Sequence, residues 1–323
     1  MAIKVAFVGA GGIAGYHLGH LKKIEDVEFV GFCDAVREKA EARAKECGGK
    51  VYSDHRKLID ATKPDAVYVC TPPFAHGDYE LDAVAAGCHL FVEKPIALSM
   101  DKALEIRNAI KKAGVLSGTG YQDRYQDIIA QLKKILRQRS VATAIGYWMG
   151  GMPGVAWWRV KAESGGQHTE QTTHIFDMMR YLFGEVKTVY AVGSTGLMTD
   201  VPNYDVEDVS AVTLTFKKGM VATVYSGCCF KGVGKCGIDI YCTDAVINYT
   251  ERKSVTLKSP NESLELTNAG DFGQDEDEAF IDAIRTKGET KKRILSPYAD
   301  ACKSLALSLA ADESMATGQA VDL

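Results

Sequence analysis

The chain reads as an α/β protein of two parts: a doubly wound parallel sheet, then an α+β domain on a largely antiparallel, open sheet. Three observations predict this. Apolar runs alternate with helix-length segments through the first third, as parallel strands buried on both faces do. A glycine loop, Gly9-Ala10-Gly11-Gly12-Ile13-Ala14, joins the first run to the first helix. Beyond Gly120, strands follow one another without intervening helices, which calls for hairpins. A length of 323 residues suits two cores better than one. The expected division is residues 1–121 and 122–323, with the C-terminal helices free to pack back on the first domain.

The elements follow in order. Ile3–Val8 is a near-continuous apolar strand, and Ile13, Leu18, Leu21 and Ile24 recur at helical spacing after the glycines. Val27–Cys33 is a second strand ending at Asp34, and a helix over Arg37–Cys47 is rich in Ala, Glu, Lys and Arg. Strands are expected at 66–70, at His89–Val92 and at 115–118, which is the rhythm of right-handed crossovers. The second part opens with a helix near 127–137 and a strand over Val141–Met149, followed by a Gly/Pro-rich loop. A helix over 170–183 stops at Gly184, a good C-terminal cap. Strands come next at 186–193, Val209–Phe216, 220–228, 237–242 and 245–249, with Lys217-Lys218-Gly219 as a hairpin turn. Helices near 276–286 and over Tyr298–Thr317 close the chain.

Composition excludes several classes. Net charge is -4, from 38 basic and 42 acidic residues, and no basic stripe offers a track for nucleic acid. No apolar run approaches the roughly 20 residues needed to cross a bilayer, and a strand begins at once where a signal peptide would lie. The nine cysteines include no Cys-x-x-Cys pair. Cys33, Cys70 and Cys88 read as buried thiols, and Cys228, Cys229, Cys236 and Cys242 match no zinc spacing, so core packing in a reducing cytoplasm is expected and no metal.

The loop sits where a dinucleotide fingerprint has physical meaning, between a buried strand and an amphipathic helix. Gly9 allows a tight turn, Gly11 lets backbone approach a pyrophosphate, and the small Ala14 lets helix and strand pack closely. Gly12 and Ile13 begin the helix, whose free N–H groups and positive end favour phosphates. Asp34 stands where a carboxylate accepts ribose hydroxyls and repels a 2′-phosphate, so NAD is expected over NADP; Arg37 reads as a solvated first-turn charge rather than a phosphate ligand.

Further motifs follow: Cys70-Thr71-Pro72-Pro73 with His76, Ala86-Gly87-Cys88-His89 leading into Glu93-Lys94-Pro95, Gly120 to Tyr125, Trp158-Arg159, and the segment from Gly165-Gly166 to Asp177. In these motifs, and over nearly its full length, the chain resembles the glucose-fructose oxidoreductase, inositol dehydrogenase and rhizopine-catabolism (Gfo/Idh/MocA) family. The resemblance implies an NAD-dependent dehydrogenase of a sugar, sugar derivative or cyclitol, with a Rossmann domain followed by a substrate-binding and oligomerising domain. It implies Lys94 as the general acid/base beside the nicotinamide, Glu93 as a cofactor contact or lysine-orienting group, and Thr71, Pro72 and His76 lining the nicotinamide half. Pro95 fixes the backbone direction, through a trans or a cis bond.

Glu170 and His174 are four apart and share a helix face. His174 is expected to bond the reacting hydroxyl, Glu170 a neighbouring one, and Asp177 to orient the imidazole. The family pattern has aspartate where Glu170 stands, and Gln167 and His168 also depart from it, so the substrate is left open. Gln122 and Arg159 are expected near cofactor, Tyr121 and Trp158 near substrate, and Arg124 near one or the other. Trp157 and Trp158 read as core or as a sugar-stacking platform. An NAD-dependent glycosidase working by transient oxidation and a non-catalytic NAD-binding regulator are the competing readings. An exposed sheet face in the second domain suggests a homodimer or homotetramer.

Overall fold

Burial on both faces decides the first sheet, and burial on one face the second. The computed structural model describes residues 2–323. It divides into two compact units: one reaches to Gln122 and takes back Asp271–Cys302, the other comprises Asp123–Gly270 and Lys303–Leu323.

The first unit strings β1 (Ile3–Val8), α1 (Gly12–Leu21), β2 (Val27–Cys33), α2 (Arg37–Cys47), β3 (Lys50–Tyr52), α3 (His55–Thr62), β4 (Ala66–Val69), α4 (Asp78–Ala85), β5 (His89–Val92), α5 (Met100–Ala113) and β6 (Ser117–Thr119). All six strands pair in parallel in the order β3-β2-β1-β4-β5-β6, which is the Rossmann order. The strand expected at 115–118 begins two residues later, because the Leu116 amide donates to the His89 ring instead (3.0 Å). β3 escaped notice because three residues carry no readable period.

The second unit contains α6 (Asp127–Leu136), β7 (Val141–Met149), a one-turn α7 (Lys161–Ser164), α8 (Thr173–Phe183), and the strands β8 (Val186–Ser194), β9 (Val209–Phe216), β10 (Val221–Gly227), β11 (Lys235–Cys242), β12 (Val246–Thr250), β13 (Ser254–Lys258) and β14 (Ser263–Thr267). α9 (Phe272–Arg285) follows in the segment that belongs to the first unit, and the division falls inside α10 (Tyr298–Thr317). The last strand, β15 (Val321–Asp322), adds to β8. The nine strands run β14-β13-β12-β11-β7-β10-β9-β8-β15, antiparallel except for β7 beside β10. Lys217-Lys218-Gly219 turns between β9 and β10, with Gly219 at φ 91°. One sheet face is buried: Val212, Leu214, Val224, Ile238, Ile240 and Ile247 share a core with Ile175, Phe176 and Met179 of α8. A Cβ at Gly146 of β7 would press on Ile175 and Met179, so the missing side chain sets how closely α8 approaches. Among the described residues, no helix is long and apolar enough to cross a membrane.

Candidate cofactor and catalytic site

The loop between β1 and α1 takes the conformation its glycines permit. Gly9 has φ 88°, and a Cβ there would collide with the Cys70 carbonyl oxygen after β4, so β1 and β4 close on each other at that point. Gly11 and Gly12 meet nothing within 4 Å of an added Cβ; the fold does not need them bare, whereas a bound pyrophosphate would. Ala14 is fully buried in the core behind the loop. α1 starts at Gly12 with no side chain capping its first amides, which leaves them for an anion. Ile13 lies exposed on the same turn.

Two side chains brace this loop. Asp34 accepts from the Ala10 amide (2.7 Å) and the Val36 amide (2.8 Å), tying the end of β2 to the loop. Arg43 of α2 donates to the Gly11 carbonyl (3.0 Å) and is held by Glu46 (2.9 Å). Arg43 went unremarked in the sequence because nothing in a run of helix charges marks the one that lies over Gly15. Arg37 pairs with Glu41 on the exposed face of α2, as a solvated helix charge does.

Thr71 and Pro72 follow β4, and Lys94 follows β5, so they lie at the carboxyl edge of the sheet that also carries Gly9. Buried Thr71 Oγ1 and His76 Nε2 have no hydrogen-bond partner among the described residues, although His76 Nδ1 is fixed on Glu80 at 2.5 Å. Such orphaned groups beside the glycine loop fit a ligand with hydrogen-bonding edges, as the nicotinamide half of NAD has. The Lys94–Pro95 bond is cis. Glu93 turns inward: its carboxylate meets His17 Nε2 at 2.9 Å and the Lys94 amide at 3.1 Å, leaving it 5% exposed. Tyr121 is buried, and Gln122 accepts the Tyr16 hydroxyl at 2.5 Å.

His17 is the hub of a buried network that the sequence did not reveal. Its Nδ1 meets Asp277 of α9 at 2.9 Å; His20 Nδ1 and the Tyr68 hydroxyl meet the same carboxylate at 3.0 and 3.1 Å. Burial alone would lower the His17 pKa, yet Asp277 and then Glu93 raise it well above imidazole's ordinary value. Burial would raise Asp277, yet His17 and His20 hold it below the usual carboxylate range. His17, His20 and Asp277 have metal-ligand spacing, and the two Nδ1 atoms converge on the Asp277 carboxylate, each 3.0 Å from its Oδ2. Burial pushes the Cys33 and Cys88 thiols up to about 11, as packing residues.

In the second unit, a π-turn (His168–Thr172) precedes α8, a device that rotates side chains out of α-helical register. Glu170 Oε2 accepts from the Trp158 indole at 2.7 Å. Trp158 itself is 0% exposed and packed with Val206 and Cys228, as the core reading has it, and its indole acts as a hydrogen-bond post for Glu170. Asp177 receives Arg124 Nε at 2.7 Å and Ser304 Oγ at 2.6 Å, which ties it into a buried ion pair. His174 lies parallel to the Trp148 ring (centroids 5.4 Å apart) with Nδ1 3.5 Å from Asp123, which Arg252 holds at 2.8 Å. Arg159 has a buried Nε without a hydrogen-bond partner among the described residues. His168 bridges Ser210 (2.7 Å) and Asp312 (3.0 Å), which explains a buried polar residue there.

Comparison with known proteins agrees with this architecture. Residues 3–121 match the model of the oxidoreductase family with an NAD-binding Rossmann fold, and residues 134–248 match the GFO/IDH/MocA C-terminal domain. The D-glucoside 3-dehydrogenase of Escherichia coli is 30% identical over 67% of this chain and 68% of its own length. The myo-inositol 2-dehydrogenase of Thermotoga maritima is 30% identical over 69% and 67%. An uncharacterized oxidoreductase of Bacillus subtilis is 29% identical over 69% and 66%, so the matches span about two thirds of these relatives. Among solved structures, an oxidoreductase from Agrobacterium radiobacter in complex with NAD+, L-tartaric acid and magnesium has a TM-score of 0.87 at 20% identity, covering 100% of this chain and 98% of that one. A levoglucosan dehydrogenase with NADH and L-sorbose scores 0.85 at 21% identity, covering 100% and 99%. The chain belongs to the Gfo/Idh/MocA family of NAD-binding oxidoreductases.

Proposed function

We propose that this enzyme transfers hydride between NAD and a secondary alcohol carbon of a sugar, sugar derivative or cyclitol, with Lys94 as general acid/base. One observation carries the reading: Lys94 leaves the carboxyl end of β5 on the edge where the glycine loop leaves β1, the side of such a sheet where ligands bind. Bound NAD supplies the hydride acceptor. As the C–H bond breaks, the alcohol oxygen gives its proton to the Lys94 amine and becomes a carbonyl oxygen; the reverse reaction returns the proton. His174 and Glu170 serve substrate hydroxyls, each held from behind: His174 between Trp148 and Asp123, Glu170 by Trp158. The named activities of the relatives, oxidation of a glucoside and of an inositol, support a ring alcohol as substrate.

A screen of glucosides, free sugars, deoxy-sugars and inositols with NAD, read by NADH absorbance, tests this. A ring polyol should produce NADH; a panel that yields none, with NAD tightly retained, would favour the glycosidase or the regulator. We propose a reducing cytoplasm as its setting, since all nine cysteines are free. Self-association through the uncovered sheet face of the second unit completes the proposal.

A further inference from the structure

We propose that His17 is a positioning residue for Lys94: by bridging Glu93 and Asp277, it clamps the segment that carries the lysine to the helices behind the cofactor loop. The inference rests on the reading of Lys94 as acid/base.

The geometry is specific. His17 is fully buried on α1, less than two turns after the glycine loop. Its two ring nitrogens each face a carboxylate, Glu93 at 2.9 Å and Asp277 at 2.9 Å; carboxylates only accept, so both nitrogens donate. Glu93 passes the constraint on through its other oxygen, which accepts the Lys94 amide at 3.1 Å. From the far side, the backbone of Gly120 presses on the Glu93 carboxylate so closely that a Cβ there would overlap it. Glu93 therefore has one available pose, and His17 sets it. The groups facing this imidazole are Asp277 of α9, Glu93 after β5 and, around the same carboxylates, His20, Tyr68, Cys70 and Glu276. Two anions flank one imidazolium, and the link to Glu93 fails if the reach of residue 17 is lost.

Glutamine and asparagine separate reach from bulk. A Gln at position 17 places its amide nitrogen near the former Nε2 and restores donation to Glu93. An Asn reaches only the former Nδ1 position and restores donation to Asp277. With methyl glucoside or myo-inositol as substrate, whichever the wild type oxidises faster, His17→Asn should lose about 10²-fold in kcat while its Kd for NAD stays within about threefold. His17→Gln should keep most of the wild-type kcat. Equal kcat in the two folded variants would overturn the proposal, since a purely structural histidine predicts no such split. Should the Asn variant not fold, Glu93→Ala decides: with the link to the Lys94 amide gone, kcat should fall about 10²-fold while the Kd for NAD stays within about threefold, and an unchanged kcat overturns the clamp. Lys94→Ala is assayed alongside. Retained turnover there sinks the acid/base reading and this inference with it, whereas an inactive Lys94→Ala beside equal Gln and Asn variants sinks only this inference.

Discussion

At the scale of single residues, the lysine and the cofactor carboxylate make separable predictions. Lys94→Ala removes the group proposed to take the alcohol proton but touches none of the loop contacts. Turnover should fall by roughly 10²–10⁴-fold, the range of a lost acid/base group, with NAD affinity nearly unchanged in a fluorescence titration. Asp34 does two things, bonding the Ala10 amide and presenting a negative charge at the ribose position. Asp34→Ser should therefore raise the KM for NAD and reduce the preference for NAD over NADP; a preference ratio that stays constant would assign the choice elsewhere. Trp158→Phe keeps an aromatic ring in the buried site but removes the indole N–H that donates to Glu170. Its expected signature is a raised KM for the polyol and an unchanged KM for NAD. Lys94, Gly9 and Asp34 were legible because each belongs to a short contiguous motif with a fixed place relative to a strand. Arg43, His17 and Asp123 were not, since their partners lie 32, 260 and 129 residues away, at Gly11, Asp277 and Arg252.

At the scale of elements, α8 shows why spacing on a helix face predicts neighbours but not every partner. Asp177 follows His174 by three residues, and that alone paired them in the sequence. The arrival of Arg124 and Ser304 ties Asp177 into a buried network that spacing does not announce. The two assignments differ in what Asp177→Asn does. An imidazole-orienting aspartate would cost activity with little stability. A partner of the buried Arg124, itself 4% exposed, should instead cost about 3–5 kcal/mol, read by urea unfolding. The α1–α9 contact adds a pH dependence with opposite signs at its two ends. His17 has a raised folded pKa, so its stabilisation is complete below the unfolded value near pH 6.5 and is lost as pH rises through the folded value. Asp277 has a lowered folded pKa, so its share is present above about pH 3.9 and is lost as pH falls through the folded value. Unfolding free energy should therefore decline at both extremes, and His17→Gln should flatten the alkaline decline alone. An alkaline slope that survives in that variant would place the responsible group elsewhere.

At the scale of the whole molecule, the alternation along the second sheet foretold one covered and one uncovered face, and the register shows how the uncovered one is composed. Tyr225 sits across from Tyr147 on β7 and Ala211 on β9, and Val221 across from Thr143, so side chains of one parity stack across the sheet. Tyr190, Val192, Val221, Tyr225, Tyr241 and Val246 are all exposed on that side. Lys235 lies over the Tyr147 ring at 3.9 Å and pairs with Asp239 at 2.6 Å, a polar island within the aromatic field. Apolar residues gathered on one face, rather than scattered singly as on most monomers, support the proposed pairing with a second copy of the chain about a two-fold axis. Strands β13 and β14, which short polar alternation hid from the sequence, extend the same sheet beyond β12 and widen the platform. Tyr225→Asp places a charge in the centre of this face without entering the core on the opposite side. Light scattering on the eluting peak should show the wild type at two or four chain masses and the variant shifted toward one, with its secondary structure intact. If the variant keeps the wild-type mass, or if the wild type is itself monomeric at micromolar concentration, the open face has another use and the oligomer proposed here is withdrawn.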